Sequence, residues 1–377
     1  MRTIVTEIEY DCGCKLFPQR LNLERALAVG FDESNFEPFC RDHPTSPAIR
    51  VEKDVRIDNS GIESMWLCDK RHLYASEQHL RPMLESNALD YGSMLHWGFE
   101  NFWKGVKEGL AYEDAGIKAE DAFMEMWLDK GGLVDDVRND ELARAIFANY
   151  PIFVQNTELA GDKWEPEAAE VAGGIFLQTI KVGIENHNIF YVINVDLTVH
   201  CRGKRWIVDY KSHKNSGFYP MWIKPWQTSS QMTGYIYTYR QLVGDEVAGV
   251  FIVGVLVKML KAGPAPDFII IPVEKTDGLL EEWRRDLLAT YQRLIINRRS
   301  GHWAKNDKAC DKWGGCPYIE LCVTDPSLRQ LSIDSNFRRV VWDADQRKAF
   351  EVDDSGIKSK EREREFNIDI LAQLDKT

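Results

Sequence analysis

Two acids and a lysine stand where two apolar segments, joined by a short turn, come to an end. One segment carries Asn194-Val195-Asp196, the other runs Ile207-Val208-Asp209-Tyr210-Lys211, and Arg202-Gly203-Lys204 lies between them. A carboxylate at the end of a buried apolar strand is costly to desolvate unless it holds a cation or a proton. Residues two apart on a strand share a face, so Asp209 and Lys211 point the same way and Asp196 can converge on them from the neighbouring strand. Gln231 and Tyr235 follow, four residues apart and hence on one face of a helix. This layout predicts a metal-dependent hydrolase.

Composition permits that reading and excludes others. With 377 residues, 44% of them hydrophobic and 11% aromatic, the chain can bury a large core, and its length predicts two or three units. Residues 1–7 have no apolar signal core, and nowhere is there a run of about 18 uncharged apolar residues, so secretion and membrane spanning are disfavoured and a cytoplasmic location is expected. The net charge of -12 argues against a surface coated in positive charge for non-specific DNA binding, while leaving room for a local basic groove. There is no G-x-x-x-x-G-K-[ST] segment, so the chain is not itself a helicase motor.

The periodicity turns helical from Met65 to Trp103, with further helices expected near Ile117–Asp129 and Asp140–Glu158. Glu170–Lys181, Ile189–His200 and Trp206–Lys211 read as a meander. Gln227–Leu242 reads as a helix, Val247–Val257 and Phe268–Val273 as strands, and Gly278–Arg298 as an amphipathic helix. The succession predicts an α/β sandwich around a mixed central sheet flanked by helices.

Eight cysteines in a cytoplasmic protein read as metal ligands or core residues rather than disulfides. Residues 1–55 hold few large apolar residues in periodic order, and a segment this small usually needs a staple. Cys12-Gly13-Cys14 and Cys40-x-x-His43 offer the four ligands of a tetrahedral zinc site, which predicts a zinc-ribbon-like module; unrelated thiols are the alternative. Cys201 reads as a small packing residue in the hairpin.

The motifs from Ser64 to Cys322 resemble the PD-(D/E)XK nucleases, and within them the RecB-like exonuclease branch that includes the AddB nuclease domain and the iron–sulfur exonucleases of CRISPR adaptation. The resemblance rests on Gly92 to His96 in Tyr-Gly-Ser-Met-Leu-His, on Asp196, on Asp209-Tyr210-Lys211 and on Gln231-x-x-x-Tyr235, all in family order. It implies a nuclease domain over residues 56–325, followed by a charged C-terminal tail over 326–377. It also implies Mg²⁺ or Mn²⁺ held by Asp196, Asp209, the backbone carbonyl of Tyr210 and His96, with Lys211 orienting water or offsetting developing charge. In the family the Gln231 and Tyr235 pair approaches DNA and the lysine, and Glu170 occupies an acidic position. Cys68 before the core and Cys310, Cys316 and Cys322 after it match the one-plus-three cysteines of a [4Fe–4S] cluster, with zinc or no metal as alternatives.

Trp206, Phe218, Tyr219, Trp222 and Trp226 interleave with Lys211, Lys214 and Lys224, a composition suited both to core packing and to a wall for single-stranded DNA. Two functions are therefore expected to compete. One is a DNA exonuclease acting on single strands or ends, partnered by a helicase, a recombinase or another DNA-processing protein and not by a membrane. The other is a non-catalytic subunit that holds DNA ends in a recombination or adaptation complex, its zinc module recruiting a partner. The intact His-Asp-Asp-Lys set favours the enzyme, because binding alone does not require mutually repelling carboxylates to be kept together.

Overall fold

A computed structural model describes residues 2–18, 37–83, 87–132, 137–215, 217–244, 247–312, 315–343, 348–353 and 356–360. Its strands, in chain order, are β1 (Arg2–Tyr10), β2 (Lys15–Leu16), β3 (Ala48–Ile57), β4 (Leu80–Pro82), β5 (Glu165–Val182), β6 (Glu185–Cys201), β7 (Lys204–His213), β8 (Val247–Leu256), β9 (Met259–Leu260), β10 (Gly263–Pro264), β11 (Asp267–Val273), β12 (Phe337–Asp343), β13 (Lys348–Asp353) and β14 (Gly356–Lys360). The chain divides into two compact units. The first comprises Met1–Met83, Gly174–Val192 and Arg284–Glu365, and the second includes Leu84–Gly173 and Ile193–Trp283.

In the first unit, β1 pairs antiparallel with β3, and β3 pairs in parallel with the opening half of β6, from Val51 opposite Glu185 to Ile57 opposite Tyr191. The β-branched residues of these strands explain the pairing: Ile4, Val5, Ile8, Val51, Val55 and Ile57 are all buried. β3 crosses residue 55 and runs to Ile57, and the N-terminal segment contributes paired strands to its unit.

The expected C-terminal tail is also partly structured. A helix spans Arg329–Asn336, and β12, β13 and β14 follow it in an antiparallel sheet whose far edge is β4. Ile333 and Phe337 join Tyr74, Leu80, Tyr318 and Leu321 in a small core, so apolar residues thinly spread among charges suffice once a partner strand covers them. The charged run beginning at Lys358 lies beyond residue 360 for most of its length, outside the described residues. The region read as helical from Met65 to Trp103 is helical over Asn59–Leu67, Asp69–His72 and the π-turn Leu73–Glu77, and passes through β4 before the helix Asn87–Lys107.

The second unit carries the mixed sheet. The closing half of β6 is antiparallel to β7, β7 is parallel to β8, and β8 is antiparallel to β11. Helices Asn87–Lys107, Tyr112–Asp129 and Asp140–Leu159 bury Phe99, Phe102, Trp103, Phe123, Phe147 and Tyr150 against Leu197, Val208 and Val253 of the strands. Each fully buried Phe contributes roughly 1.5–3 kcal/mol relative to exposure. The packing is tight: a Cβ on Gly98, two residues after His96, would lie 2.1 Å from Phe147 Cζ. Trp206, Val208 and Tyr210 face this core, so the pleat turns Ile207, Asp209 and Lys211 to the other side of β7. The helix Ser230–Val243 packs on β8. The architecture is the expected α/β arrangement of a mixed sheet with flanking helices, and no described helix is long and apolar enough to cross a membrane.

Candidate active site

The two acids lie side by side, inside their strands rather than at the strand ends that the sequence suggests: Asp196 sits within β6 and Asp209 within β7. Leu197 of β6 lies opposite Val208 of β7, which brings Asp196 beside Asp209 at the next step, and the Tyr210 backbone N–H donates to Asp196 Oδ2 at 2.9 Å. Between the two strands, Arg202 and Gly203 make the turn with left-handed φ of 52° and 71°. His96, on the helix Asn87–Lys107, places Nδ1 3.0 Å from Asp196 Oδ1. Lys211 Nζ lies 2.7 Å from Asp209 Oδ2.

The two acids behave differently. Burial alone would raise both; in Asp196 the His96 and Lys211 charges and the Tyr210 N–H outweigh burial and hold its carboxyl below the usual range. In Asp209, 1% exposed, burial prevails over Lys211 and, with the neighbouring Asp196 charge, raises the carboxyl. His96 is pulled toward its protonated form, because the Asp196 charge outweighs the effect of burial. Asp209 Oδ2 has no directed hydrogen bond among the described residues; its close contact is the Lys211 ammonium. Two adjacent carboxylates and an imidazole, with Lys211 the close contact of Asp209 Oδ2, are a donor set that fits a hard divalent ion such as Mg²⁺ or Mn²⁺.

Tyr210 is the pin between site and core. Its ring stacks on Phe99 at 4.2 Å with the planes 9° apart, and its hydroxyl meets Tyr150 Oη and Trp103 Nε1, each at 2.7 Å. The periodicity of the helix marks Phe99 as apolar, but nothing local indicates that Phe99, Trp103 and Tyr150 converge on the residue between the catalytic candidates. Gln231 Nε2 donates to Tyr235 Oη at 2.8 Å on the helix Ser230–Val243, as the four-residue spacing requires. Glu170 lies within β5, 5% exposed and with φ of 53°, a left-handed conformation uncommon for glutamate.

Among the described residues, one set of His, Cys, Asp or Glu side chains gathers its ligand atoms within 4.8 Å of one another: Cys12, Cys14, Cys40 and His43. Gly13, at φ 82°, turns the chain between the first two, and its N–H donates to Tyr10 O at 2.8 Å. His43 Nδ1 stands 3.6 Å from both Cys14 Sγ and Cys40 Sγ. The Cys14 backbone N–H and the neighbouring thiols bring Cys12 down to about 6, while Cys12 and Cys40 push Cys14 up to about 11. Such a group can bind a metal, which would take up the charge these thiols otherwise share.

Cys68, Cys310, Cys316 and Cys322 also come together, around residues 304–306. The Asn306 N–H donates to Cys68 Sγ at 3.4 Å, Cys310 Sγ lies 3.9 Å from Asn306 O, and the Cys316 N–H donates to Cys310 O at 2.8 Å. Burial raises Cys310 and Cys322, and each is raised further by the charges of Cys316 and Cys68. Among the described residues these four do not form a group with ligand atoms all within 4.8 Å, as the N-terminal set does.

Residues 59–323 match the PD-(D/E)XK nuclease superfamily. The chain belongs to that superfamily. A comparison with curated proteins found no match. Among solved structures, a protein from Eubacterium rectale described provisionally as an exonuclease is similar at 16% identity, covering 68% of this chain and 86% of its own, with a TM-score of 0.41. An alkaline exonuclease from Laribacter hongkongensis matches at 12% identity over 56% of this chain and 97% of its own, with a TM-score of 0.23. The same enzyme in complex with dAMP matches at 15% identity over 56% of this chain and 96% of its own, with a TM-score of 0.21.

Proposed function

We propose that this PD-(D/E)XK protein is a divalent-metal-dependent deoxyribonuclease that removes nucleotides from single-stranded DNA or DNA ends. The observation that supports it most is the convergence of His96, Asp196, Asp209 and Lys211 where β6 and β7 lie side by side. Asp196, Asp209, His96 and the Tyr210 carbonyl would hold Mg²⁺ or Mn²⁺, which supplies charge neutralisation at the scissile phosphate and a more acidic water. The Tyr210 N–H donates to one Asp196 oxygen and so helps to orient the carboxylate. Lys211 shares the Asp209 face and would orient the attacking water or offset charge on the phosphate. Gln231 and Tyr235, locked to each other, would meet the DNA from the following helix.

The metal dependence and substrate are tested together. In Mn²⁺ the purified chain is expected to release acid-soluble nucleotides from end-labelled single-stranded DNA, and EDTA to stop the release. A folded preparation that leaves such DNA intact with Mg²⁺ and with Mn²⁺ would overturn the proposal.

We assign the Cys68, Cys310, Cys316 and Cys322 group to a [4Fe–4S] cluster and the Cys12, Cys14, Cys40 and His43 group to Zn²⁺. The compact thiol and imidazole set at the N-terminus fits a tetrahedral ion. Deleting residues 1–55 would strip β1 and most of β3 from their unit, so substitution is the cleaner probe. Cys40→Ser is expected to lose about one zinc per chain while keeping its iron and cleaving short oligonucleotides at the wild-type rate, because the site residues belong to other strands and helices. Undiminished zinc in Cys40→Ser places the ion elsewhere.

A further inference from the structure

The strand that carries Asp209 and Lys211 does not end at the lysine. His213, two residues on and on the same face of β7, opens a series of rings: His213 stacks on Trp222 at 4.8 Å with planes 28° apart, Phe218 lies 5.2 Å from Trp222, and Trp222 meets Trp226 at 5.6 Å nearly edge-on. The series returns to the site, since Lys211 Nζ stands 6.0 Å from the centre of the Trp226 ring. It is built on a helical turn at Pro220–Ile223 and a 3₁₀ turn at Lys224–Thr228, which lead into the helix of Gln231 and Tyr235.

These rings are held rather than loosely placed. A Cβ on Gly254 of β8 would come within 2.8 Å of both Phe218 Cε1 and Trp222 Cη2, so the missing side chain is what lets the two rings lie on the strand. None of the four is fully buried, Tyr219 is 46% exposed and Met221 is 90% exposed, so this is not an ordinary core. Trp226 Nε1 has no hydrogen-bond partner among the described residues. Charge singles the segment out as well. In a chain with 59 acids, residues 210–244 contain no Asp or Glu and carry Lys211, Lys214, Lys224 and Arg240.

We propose that the His213, Phe218, Trp222 and Trp226 ladder is the platform on which bases of a DNA single strand stack as its backbone enters the site of Asp209 and Lys211. The inference rests on the nuclease reading above and adds to it what grips the substrate. Stacked rings take any base, because every base has a flat face, while the lysines meet the phosphates; such a platform binds single strands with little sequence preference and leaves paired bases alone. A duplex would offer it nothing until its end frays.

The test measures binding apart from cleavage, by fluorescence anisotropy of the full chain with a labelled thymidine 20-mer in EDTA. Trp222→Leu and Trp226→Leu are each expected to weaken binding about tenfold or more, the loss of one stacked base. Trp222→Phe should restore most of the affinity, and a blunt duplex of the same length should bind all four proteins alike. An abasic strand of equal charge should bind wild type more weakly than the thymidine strand binds Trp222→Leu, because it loses every stacked base rather than one. Unchanged affinity in both leucine variants, with melting curves matching wild type, would overturn the platform, as would equal losses for duplex and single strand. A wild-type preference for a uridine 20-mer that Trp222→Leu abolishes would move the assignment from DNA to RNA. Failure of the nuclease reading shows itself separately, as wild-type protein that binds through the ladder and never cuts.

Discussion

Asp209→Asn is expected to abolish metal-dependent cleavage, lowering the rate by roughly a thousandfold or more, while leaving the chain folded. The amide keeps the size and planarity of the carboxylate but brings no charge to a divalent ion. Folding should survive because the charge is costly where it lies: Asp209 is 1% exposed, and burial already pushes its carboxyl toward the neutral form. The neutral amide removes that penalty and leaves Lys211, whose side chain is 23% exposed, free to turn toward water. Lys211→Ala should be equally inactive for the opposite reason, since it strips the cation from two adjacent acids, Asp209 buried and Asp196 partly so, and removes the group that would orient water. Single-turnover cleavage of end-labelled DNA, read beside circular dichroism and melting curves, checks both. Cleavage at the wild-type rate by either variant removes Asp209 and Lys211 from the mechanism.

Anaerobically purified protein is expected to be brown, with the broad visible absorbance of iron–sulfur charge transfer, and Cys316→Ser to lose most of that colour. Stability should fall with it. Cys68, Cys310, Cys316 and Cys322 all belong to the first unit but are far apart in sequence, so a cluster joining them closes a loop over most of the chain. A cross-link around a loop beyond a hundred residues stabilises by about 5 kcal/mol, at the cost of the unfolded chain's freedom. At about 2–4 °C per kcal/mol for domains of this size, the melting midpoint should drop by on the order of 10 °C. Cys316 and Cys322 also border the small core of Tyr74, Tyr318 and Leu321, so loosening should register in the fluorescence of those tyrosines. Iron analysis, visible absorbance and melting under argon are the measurements. Colourless anaerobic wild-type protein containing only zinc would sink the cluster.

Features governed by a few neighbouring bonds are determined by the sequence on its own. The two-residue period of a strand puts Asp209 and Lys211 on one face, and they lie 2.7 Å apart. The turn of a helix brings Gln231 to Tyr235. Glycine between Cys12 and Cys14 supplies the left-handed turn that lets both thiols face one point. Each is a short-range relation, and each holds whatever the rest of the chain does.

Tertiary structure alone decided which of these local pieces meet. His96 and Asp196 share no periodicity, yet their side chains come within 3.0 Å because the helix of one packs beside the strand of the other. Tyr210 looks like a spacer between acid and lysine until Phe99, Trp103 and Tyr150 close on its ring and hydroxyl. The Cys-x-Cys and Cys-x-x-His pairs are each legible, but their convergence depends on β1 and β3 pairing across the chain that separates them. The strands β12 to β14 were invisible in a stretch that reads as a charged tail, because Phe337 and Val340 are covered only when the chain folds back on partners such as β4, more than two hundred residues away. Periodicity reports what a residue prefers within about one turn or one strand. Contact between distant segments is chosen by which apolar faces and unpaired backbone groups remain to be covered when the whole chain collapses, and that sum is not written at any single position.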